Sequence, residues 1–153
     1  MLLKTEKIKK EWTDYNGHMN VAYYIHIFDI ASDVMLDKFK MGGESAKQDK
    51  KSTFVVETHT TYNQEVKFDE EVEVYLSYLD YDNKRIHYKV SMHHKKKKYL
   101  AATTEVLSLY IDLNQRKVTE FESEKIKIMD DFIKKNSSNF KSENLFFSAK
   151  LKK

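Results

Sequence analysis

The chain has 153 residues, the length of one ordinary domain with a single hydrophobic core. Its 27 basic and 24 acidic side chains leave a net charge of only +3, which is too balanced to indicate a nucleic-acid-binding protein. The absence of cysteine excludes disulfides and thiolate metal sites. The N-terminal segment does not have the order of a secretory signal, and no window is apolar enough to span a membrane, so we expect a cytoplasmic protein without a membrane partner.

The first half of the chain predicts one strand and one long helix. Weak alternation predicts the strand over residues 3–12, and apolar residues spaced three and four apart predict the helix over residues 21–39, with Asn20 as its N-cap. The apolar stripe of this helix is so wide that the helix needs to be wrapped by other elements. The polar segment that follows Gly42 and Gly43 predicts a loop.

The second half predicts four strands and a short helix. Period-two patterns of β-branched and aromatic residues mark the strands, and short DNK and KKKK turns make them an antiparallel meander. The strands are expected at residues 53–65, 71–81, 85–93 and 100–112, and an amphipathic helix at residues 124–135. This α+β pattern suits a sheet that curls around the long helix. Its unprotected edge predicts a homodimer that extends the sheet across two protomers.

The stretch DYNGHMN, residues 14–20, joins the first strand to the long helix. A turn this tight often needs a positive φ angle, which glycine tolerates, so Gly17 is the predicted hinge. The turn places Asp14 opposite the free N–H groups expected at Asn20, Val21 and Ala22 in the first helical turn. This pairing suits attack on an acyl carbon, with the carboxylate as general base or nucleophile and the helix N-terminus as oxyanion site.

The residues of this stretch alone also allow a purely structural interpretation. Asp14 can form an Asx-turn, His18 can be a loop histidine with its hydrogen bonds satisfied, and Asn16 and Asn20 can be capping residues without a chemical role. From spacing alone the structural interpretation is favoured, since short polar turns before helices are common.

Asp14, Gly17, His18 and Asn20 together resemble the DxxGHxN signature of the hotdog-fold acyl-CoA thioesterases of the 4-hydroxybenzoyl-CoA thioesterase type. The resemblance covers most of residues 12–121. EWTDYNGHMN, ETHTTYNQEV and KRIHY are most similar to the thioesterases of carnitine breakdown, which act on betainyl-CoA. The chain departs from the family at Trp12, where many members carry a further acidic residue.

The resemblance implies a single hotdog domain over residues 1–153, in which five or six strands wrap the long helix and residues 122–153 form a helical extension. It implies homodimers or homotetramers with sites at the subunit interface and no metal or redox cofactor. Asp14 would be the catalytic carboxylate, the N–H of Val21 the oxyanion donor, and His18 and Asn20 would orient the thioester. The residues expected to bind substrate are Asn16, Gly17, Tyr24, Glu57, Tyr62, Glu65, Lys84 and Arg85.

Within that set, Lys84 and Arg85 would meet the phosphates of coenzyme A, and Glu57 or Glu65 would assist a water molecule. Because a quaternary ammonium group binds well against aromatic faces, a cage for betainyl-CoA would draw on tyrosines of the chain. Its candidates are Tyr15, Tyr23, Tyr24 and Tyr62.

Several functions are therefore compared. The favoured one is an acyl-CoA thioesterase acting on betainyl-CoA or another short acyl-CoA. The alternative is a non-catalytic acyl-CoA-binding or sensing protein of the same fold. Hydratases of this fold use a histidine near prolines, and this chain has no proline. The lysine run at residues 95–98 is interpreted as a solvated hairpin end, and no nucleic-acid partner is expected.

Overall fold

The structure, a computed structural model, describes residues 1–152. Six strands form one antiparallel sheet in the order β1-β3-β4-β5-β2, with β6 paired to β5. Three helices accompany the sheet, and the elements have the following bounds: β1 Leu2–Lys7, α1 Val21–Lys38, α2 Gly43–Asp49, β2 Lys51–Tyr62, β3 Glu71–Tyr81, β4 Arg85–His94, β5 Leu100–Asp112, β6 Lys117–Val118 and α3 Ser123–Asn136. The predicted hotdog arrangement of a long helix and a curled antiparallel sheet is confirmed.

Helix α1 packs on the concave face of the sheet because its apolar positions recur every three or four residues. Ile27, Ala31 and Met35 are fully buried against the sheet. Side chains on the opposite side of α1, such as Asp29 and Asp33, are exposed. The predicted N-cap is confirmed, since the Asn20 side chain accepts a hydrogen bond from the N–H of Ala22.

The structure differs from the predicted elements in three places. The first strand ends at Lys7, and a 3₁₀ turn follows at Lys10–Trp12. Residues 43–49, predicted as loop, form α2, which is too short to display apolar periodicity. Strand β2 ends at Tyr62 instead of residue 65, because the N–H groups of Asn63 and Gln64 both turn to the carbonyl of Ala101.

The convex face of the sheet is covered by residues 137–152, which we call the C-terminal strap. The N–H groups of Phe146 and Phe147 donate to the Glu105 carboxylate at 2.8 Å, and the N–H of Lys141 donates to the Ser77 carbonyl at 2.9 Å. Residue 153, the last of the predicted extension 122–153, lies outside the described residues. Within residues 1–152, no helix has the length and apolarity that crossing a membrane requires.

Candidate active site

The turn before α1 has the predicted glycine hinge. Gly17 has a φ of 80°, and its N–H donates to the carbonyl of Asp14 at 3.0 Å. The N–H of Asp14 in turn donates to the carbonyl of His18 at 3.1 Å, so the turn closes on itself. The positive φ confirms the role predicted for Gly17.

Hydrogen bonds to two other segments hold this turn in place. The N–H of Met19 donates to the Val66 carbonyl at 2.7 Å, and the N–H of Asn20 donates to the Trp12 carbonyl at 2.8 Å. The Trp12 ring is buried and stacks on Tyr23 at a centroid distance of 5.3 Å. Trp12 stands where many members of the family that the sequence resembles carry an acidic residue. Here it packs in the core and anchors the start of α1.

Only one of the three N–H groups predicted to be free at the helix start is free. The N–H of Asn20 is used by Trp12, and the N–H of Ala22 donates to the Asn20 side chain at 2.9 Å. The N–H of Val21 has no acceptor among residues 1–152. Because the partial positive charge of a helix N-terminus is concentrated on such groups, Val21 offers one donor to an anionic oxygen.

A cavity of about 310 Å³ adjoins the start of α1. It lies between α1 and the end of β2, and it is lined by His18, Met19, Val21, Tyr24, Tyr62, Asn63, Gln64 and Glu65. Five of these residues were predicted as site residues from the sequence. The sequence analysis missed Met19, Asn63 and Gln64. Asn63 and Gln64 could have been found, because a polar pair directly after a strand indicates a turn.

Two tyrosine rings and a carboxylate form one side of this cavity. The rings of Tyr24 and Tyr62 meet edge to face, with centroids 5.3 Å apart and planes at 81°. Burial raises the pKa of Tyr24 and of Tyr62, so both hydroxyl groups are neutral at physiological pH. Glu65 contributes the acidic side chain of the lining, and its Oε1 is paired with Nζ of Lys67 at 3.2 Å. The site therefore combines aromatic surface with one ion-paired carboxylate.

His18 reaches the same cavity in a defined tautomer. Its Nδ1 lies 3.2 Å from the carbonyl oxygen of Met19, and a carbonyl only accepts, so Nδ1 carries the proton. Nε2 of the neutral ring is then an acceptor. His18 can orient a hydrogen-bond donor at the cavity or hold a water molecule there.

Asp14 lies at the other end of the turn and does not line the cavity within the single chain. The carboxylate is half-buried, and its Oδ1 accepts a hydrogen bond from the N–H of Asn16 at 2.8 Å, which is the Asx-turn of the structural interpretation. Its Oδ2 has no hydrogen-bond partner among residues 1–152. Asn16 and Gly17 are exposed beside it. Asp14 thus has one oxygen committed to the turn and one available for chemistry.

Glu57 does not lie at this site, contrary to the prediction. It forms an ion pair with Lys150 of the C-terminal strap, on the convex face of the sheet. Thr58, its neighbour, faces α1 instead. The cause is a β-bulge between Val55 and Glu57, which shifts the alternation of side chains along β2.

Two of the four tyrosines predicted for an aromatic cage also lie elsewhere. Tyr15 is 97% exposed, and Tyr23 stacks on Trp12. Lys84 and Arg85 lie in the β3–β4 turn, at the end of the sheet where β2 begins, whereas the cavity adjoins the end of β2. Arg85 is further committed to Asp82 through a 2.6 Å ion pair, while Lys84 is exposed. One chain by itself does not bring these basic residues to the cavity.

Metal ligation is not suggested by the side chains. Within residues 1–152, no group of three histidine or carboxylate side chains has the spacing of a metal site.

Comparisons with known proteins agree with this geometry. Residues 8–135 match the profile of the thioesterase-like superfamily. The betainyl-CoA thioesterase of Pseudomonas aeruginosa is 30% identical over 114 residues, covering 74% of this chain and 72% of the relative. The L-carnitine dehydrogenase/betainyl-CoA thioesterase of Rhizobium meliloti is 32% identical over 106 residues, covering 69% of this chain and 21% of the relative.

A solved structure is similar over almost the whole chain. A Staphylococcus aureus protein in complex with CoA superposes with a TM-score of 0.83 at 25% identity, covering 95% of this chain and 89% of that one. The chain therefore belongs to the thioesterase-like superfamily, and it is a thioester hydrolase with the hotdog fold.

Proposed function

We propose that the protein hydrolyses a short acyl-CoA thioester to the free acid and coenzyme A, with Asp14 as the catalytic carboxylate and the N–H of Val21 as the oxyanion donor. The observation that carries the proposal is the unpaired N–H of Val21 at the start of α1, beside a cavity and one tight turn away from a carboxylate with a free oxygen. Donors fixed in this way stabilise charge that develops in a transition state.

The chemistry follows from these positions. Oδ2 of Asp14 takes a proton from a water molecule, and the resulting hydroxide attacks the thioester carbon, whose oxygen becomes anionic and accepts the Val21 N–H. The tetrahedral intermediate collapses with cleavage of the C–S bond, and the proton held by Asp14 passes to the leaving thiolate, which restores the carboxylate. Alternatively, Asp14 attacks directly and water then hydrolyses the mixed anhydride. A single turnover in ¹⁸O-water separates the routes, because only direct attack can leave the label on Asp14.

The acyl group we propose carries a quaternary ammonium, as in betainyl-CoA. Tyr24 and Tyr62 present aromatic surface to the cavity, and Glu65 adds a carboxylate with one oxygen paired to Lys67. Aromatic faces and carboxylates both attract a cation that cannot donate hydrogen bonds. The betainyl-CoA thioesterase of Pseudomonas aeruginosa, similar in sequence, lends this choice further support.

We also propose that the working unit contains at least a homodimer, paired through β2. This strand of 12 residues is an edge of the sheet, and Phe54, Val55 and Val56 are 37%, 54% and 50% exposed on it. Antiparallel pairing of two β2 strands would set the start of each beside the end of the other. It would thereby carry the partner's β3–β4 turn towards the cavity and give exposed Lys84 access to coenzyme A phosphates. A cytoplasmic location stays a prediction.

The direct test is release of free coenzyme A from a matched pair of substrates. Betainyl-CoA and 3,3-dimethylbutyryl-CoA have nearly the same shape, but only the first carries a positive charge. We expect kcat/KM to favour betainyl-CoA by about tenfold or more, the value of a cation bound against aromatic rings, and this preference to disappear in Tyr62→Ala. Preference for the neutral isostere would reject the proposed acyl group. Tight binding of both without release of coenzyme A would reject hydrolysis and favour an acyl-CoA sensor.

A further inference from the structure

A second cavity, of about 420 Å³, lies between the convex face of the sheet and the C-terminal strap. It has no lining residue in common with the cavity at the start of α1. The catalytic proposal assigns nothing to it, and it occupies the opposite face of the sheet.

The floor of this cavity carries several polar side chains because of the alternation of side chains along the strands. Outward positions of an antiparallel sheet normally face water and are polar for that reason. Here the strap covers them, with Asn139, Lys141, Glu143 and Asn144 lining the cavity. The floor consists of Met1, of Tyr75, Leu76 and Ser77 from β3, of Lys89, Ser91 and His93 from β4, and of Leu100 and Thr103 from β5. The amino group of Met1 donates to the Leu76 carbonyl at 2.9 Å.

The charge of the cavity is positive. Lys89 comes from the floor and Lys141 from the strap, and neither ammonium forms an ion pair with a carboxylate of residues 1–152. The lysine run of the neighbouring hairpin differs, because Lys95, Lys97 and Lys98 are paired with glutamates of residues 70–73. Glu143 is the one acidic residue in the lining. Two lysines therefore face one carboxylate across a shared space.

Hydroxyl and aromatic groups complete the site. Ser91 Oγ lies 3.2 Å from Nε2 of His93, and its one proton can turn to an oxyanion when that nitrogen is the donor. Thr61 donates to Asn63, so Thr103 gives its proton to Thr61 in their 2.9 Å hydrogen bond and offers an oxyanion no donor. The rings of Tyr75 and His93 meet edge to face at 5.8 Å and form an aromatic wall. Phosphate oxygens pair with ammonium and hydroxyl groups, and a planar base packs on aromatic rings.

We propose that this cavity binds a small phosphate-bearing ligand of mononucleotide size, with Lys89 and Lys141 holding the phosphate and Tyr75 and His93 adjoining the base. The ligand would join the sheet to the strap, because one lysine comes from each. Binding would therefore stabilise the docked strap through linkage. The nucleotide is either a free mononucleotide or the adenosine phosphate portion of coenzyme A.

Titration calorimetry with AMP, and separately with 3′-phosphoadenosine 5′-phosphate, tests the site. We expect saturable binding to the unmodified chain and at least about tenfold weaker binding by the Lys89→Gln, Lys141→Gln double variant, since bonds to charged groups are lost. The matched control is Lys127→Gln, Lys134→Gln on α3, which makes the same change of charge at exposed residues outside the cavity. A Lys89→Arg, Lys141→Arg variant retains the charge and should retain binding.

The two sources of the nucleotide are separated by kinetics. If the double variant raises KM for an acyl-CoA and AMP competes with that substrate, the ligand is the nucleotide of coenzyme A. If hydrolysis is unchanged while nucleotide binding is lost, the ligand is a free nucleotide. Absence of saturable binding at millimolar nucleotide, or equal weakening in the double variant and its control, would overturn the proposal. The binding arm does not require hydrolysis, so its failure is distinguishable from failure of the catalytic proposal.

Discussion

One backbone angle allows the turn between residues 14 and 20 to be as short as it is. Gly17 has a φ of 80°, in the region where a side chain is strained, although a Cβ would meet no atom within 4 Å. The strain is therefore purely one of backbone conformation. This feature could be predicted from the sequence, because glycine between polar residues before a helix has few other uses.

Replacing Gly17 by alanine should lower the free energy of unfolding by about 1 kcal/mol, the strain of the left-handed region. Urea unfolding measures the change. Gly43→Ala is the matched control, because a Cβ there also meets no atom within 4 Å and its φ is not positive. Equal stability of the two variants would show that the turn relaxes without strain.

Glu57 shows why the sequence did not predict every site residue. In a regular strand, Val55 and Glu57 would face the same side, and Val55 does face α1. The bulge between them turns Glu57 to the strap and brings Thr58 to the helix side. A bulge inserts one residue and leaves no clear pattern in the sequence. The sequence therefore could not show which side of the sheet each later residue of β2 faces. Tyr24 was predicted correctly because it lies in the first turn of a helix whose start the Asn20 N-cap marks.

At the scale of elements, the stability of α1 depends on its N-cap. Asn20→Ala removes the acceptor of the Ala22 N–H and should lower the free energy of unfolding by about 1 kcal/mol. Asn20→Ser keeps an acceptor oxygen and should restore most of the loss. Urea unfolding compares the three proteins, and a serine variant as unstable as the alanine variant would contradict the capping role.

The C-terminal strap docks on a buried pair, His87 and Glu105, whose side chains are 2.8 Å apart. Burial lowers the pKa of His87. Burial opposes ionisation of Glu105, but hydrogen bonds from the N–H groups of Phe146 and Phe147 and from His87 outweigh it and lower its pKa. The strap was not predicted beyond a helical extension, because residues 137–152 have no periodic pattern and their contacts come from distant strands.

The pair makes stability depend on pH. Both pKa values are lower in the folded chain, so the unfolded chain binds more protons in acid and stability falls as pH falls. The loss from His87 begins below its ordinary value of 6.5, and the loss from Glu105 begins below 4.5. Calorimetry between pH 8 and pH 4 should therefore show a falling Tm on the acid side. A Tm that rises on acidification would contradict this assignment.

The variant Glu105→Gln tests how much of the loss of stability in acid comes from the Glu105 carboxylate. The variant should lose about 2 kcal/mol at pH 7, since hydrogen bonds to a charged group are weakened, and its Tm should fall less steeply below pH 4.5. Glu120→Gln, at an exposed position, is the control and should keep the profile of the unmodified chain. An unchanged acid slope in Glu105→Gln would exclude this carboxylate as the source.

At the scale of the whole molecule, the exposed edge of β2 is the feature that a single chain leaves incomplete. The neighbours β3, β4 and β5 were predictable, since short turns join them in an antiparallel meander. The places of β1 beside β3 and of β2 beside β5 were not predicted, because no short turn marks those pairings. The homodimer remains a prediction, because the sequence offers long strands but no marker of which edge is paired. The free edge at β2 and its apolar residues now point to one surface.

Val56→Lys should dissociate the proposed dimer, because a lysine on an edge strand opposes pairing between sheets. Analytical ultracentrifugation at micromolar concentration should give a dimer for the unmodified chain and a monomer for the variant, with hydrolysis lost in parallel. Val118→Lys on β6 is the matched control, with a valine exposed to 44% compared with 50% for Val56. A monomeric and fully active unmodified chain would contradict the dimer.

The most direct test of the account is coenzyme A release by Asp14→Asn. An asparagine oxygen still accepts the N–H of Asn16, so the turn and the Tm should be preserved while the carboxylate charge is lost. We predict that kcat falls by about 100-fold or more, the usual contribution of a general base, whereas Asp69→Asn, at an exposed residue, leaves it unchanged. Turnover by Asp14→Asn equal to that of the unmodified chain would contradict the central role given to Asp14.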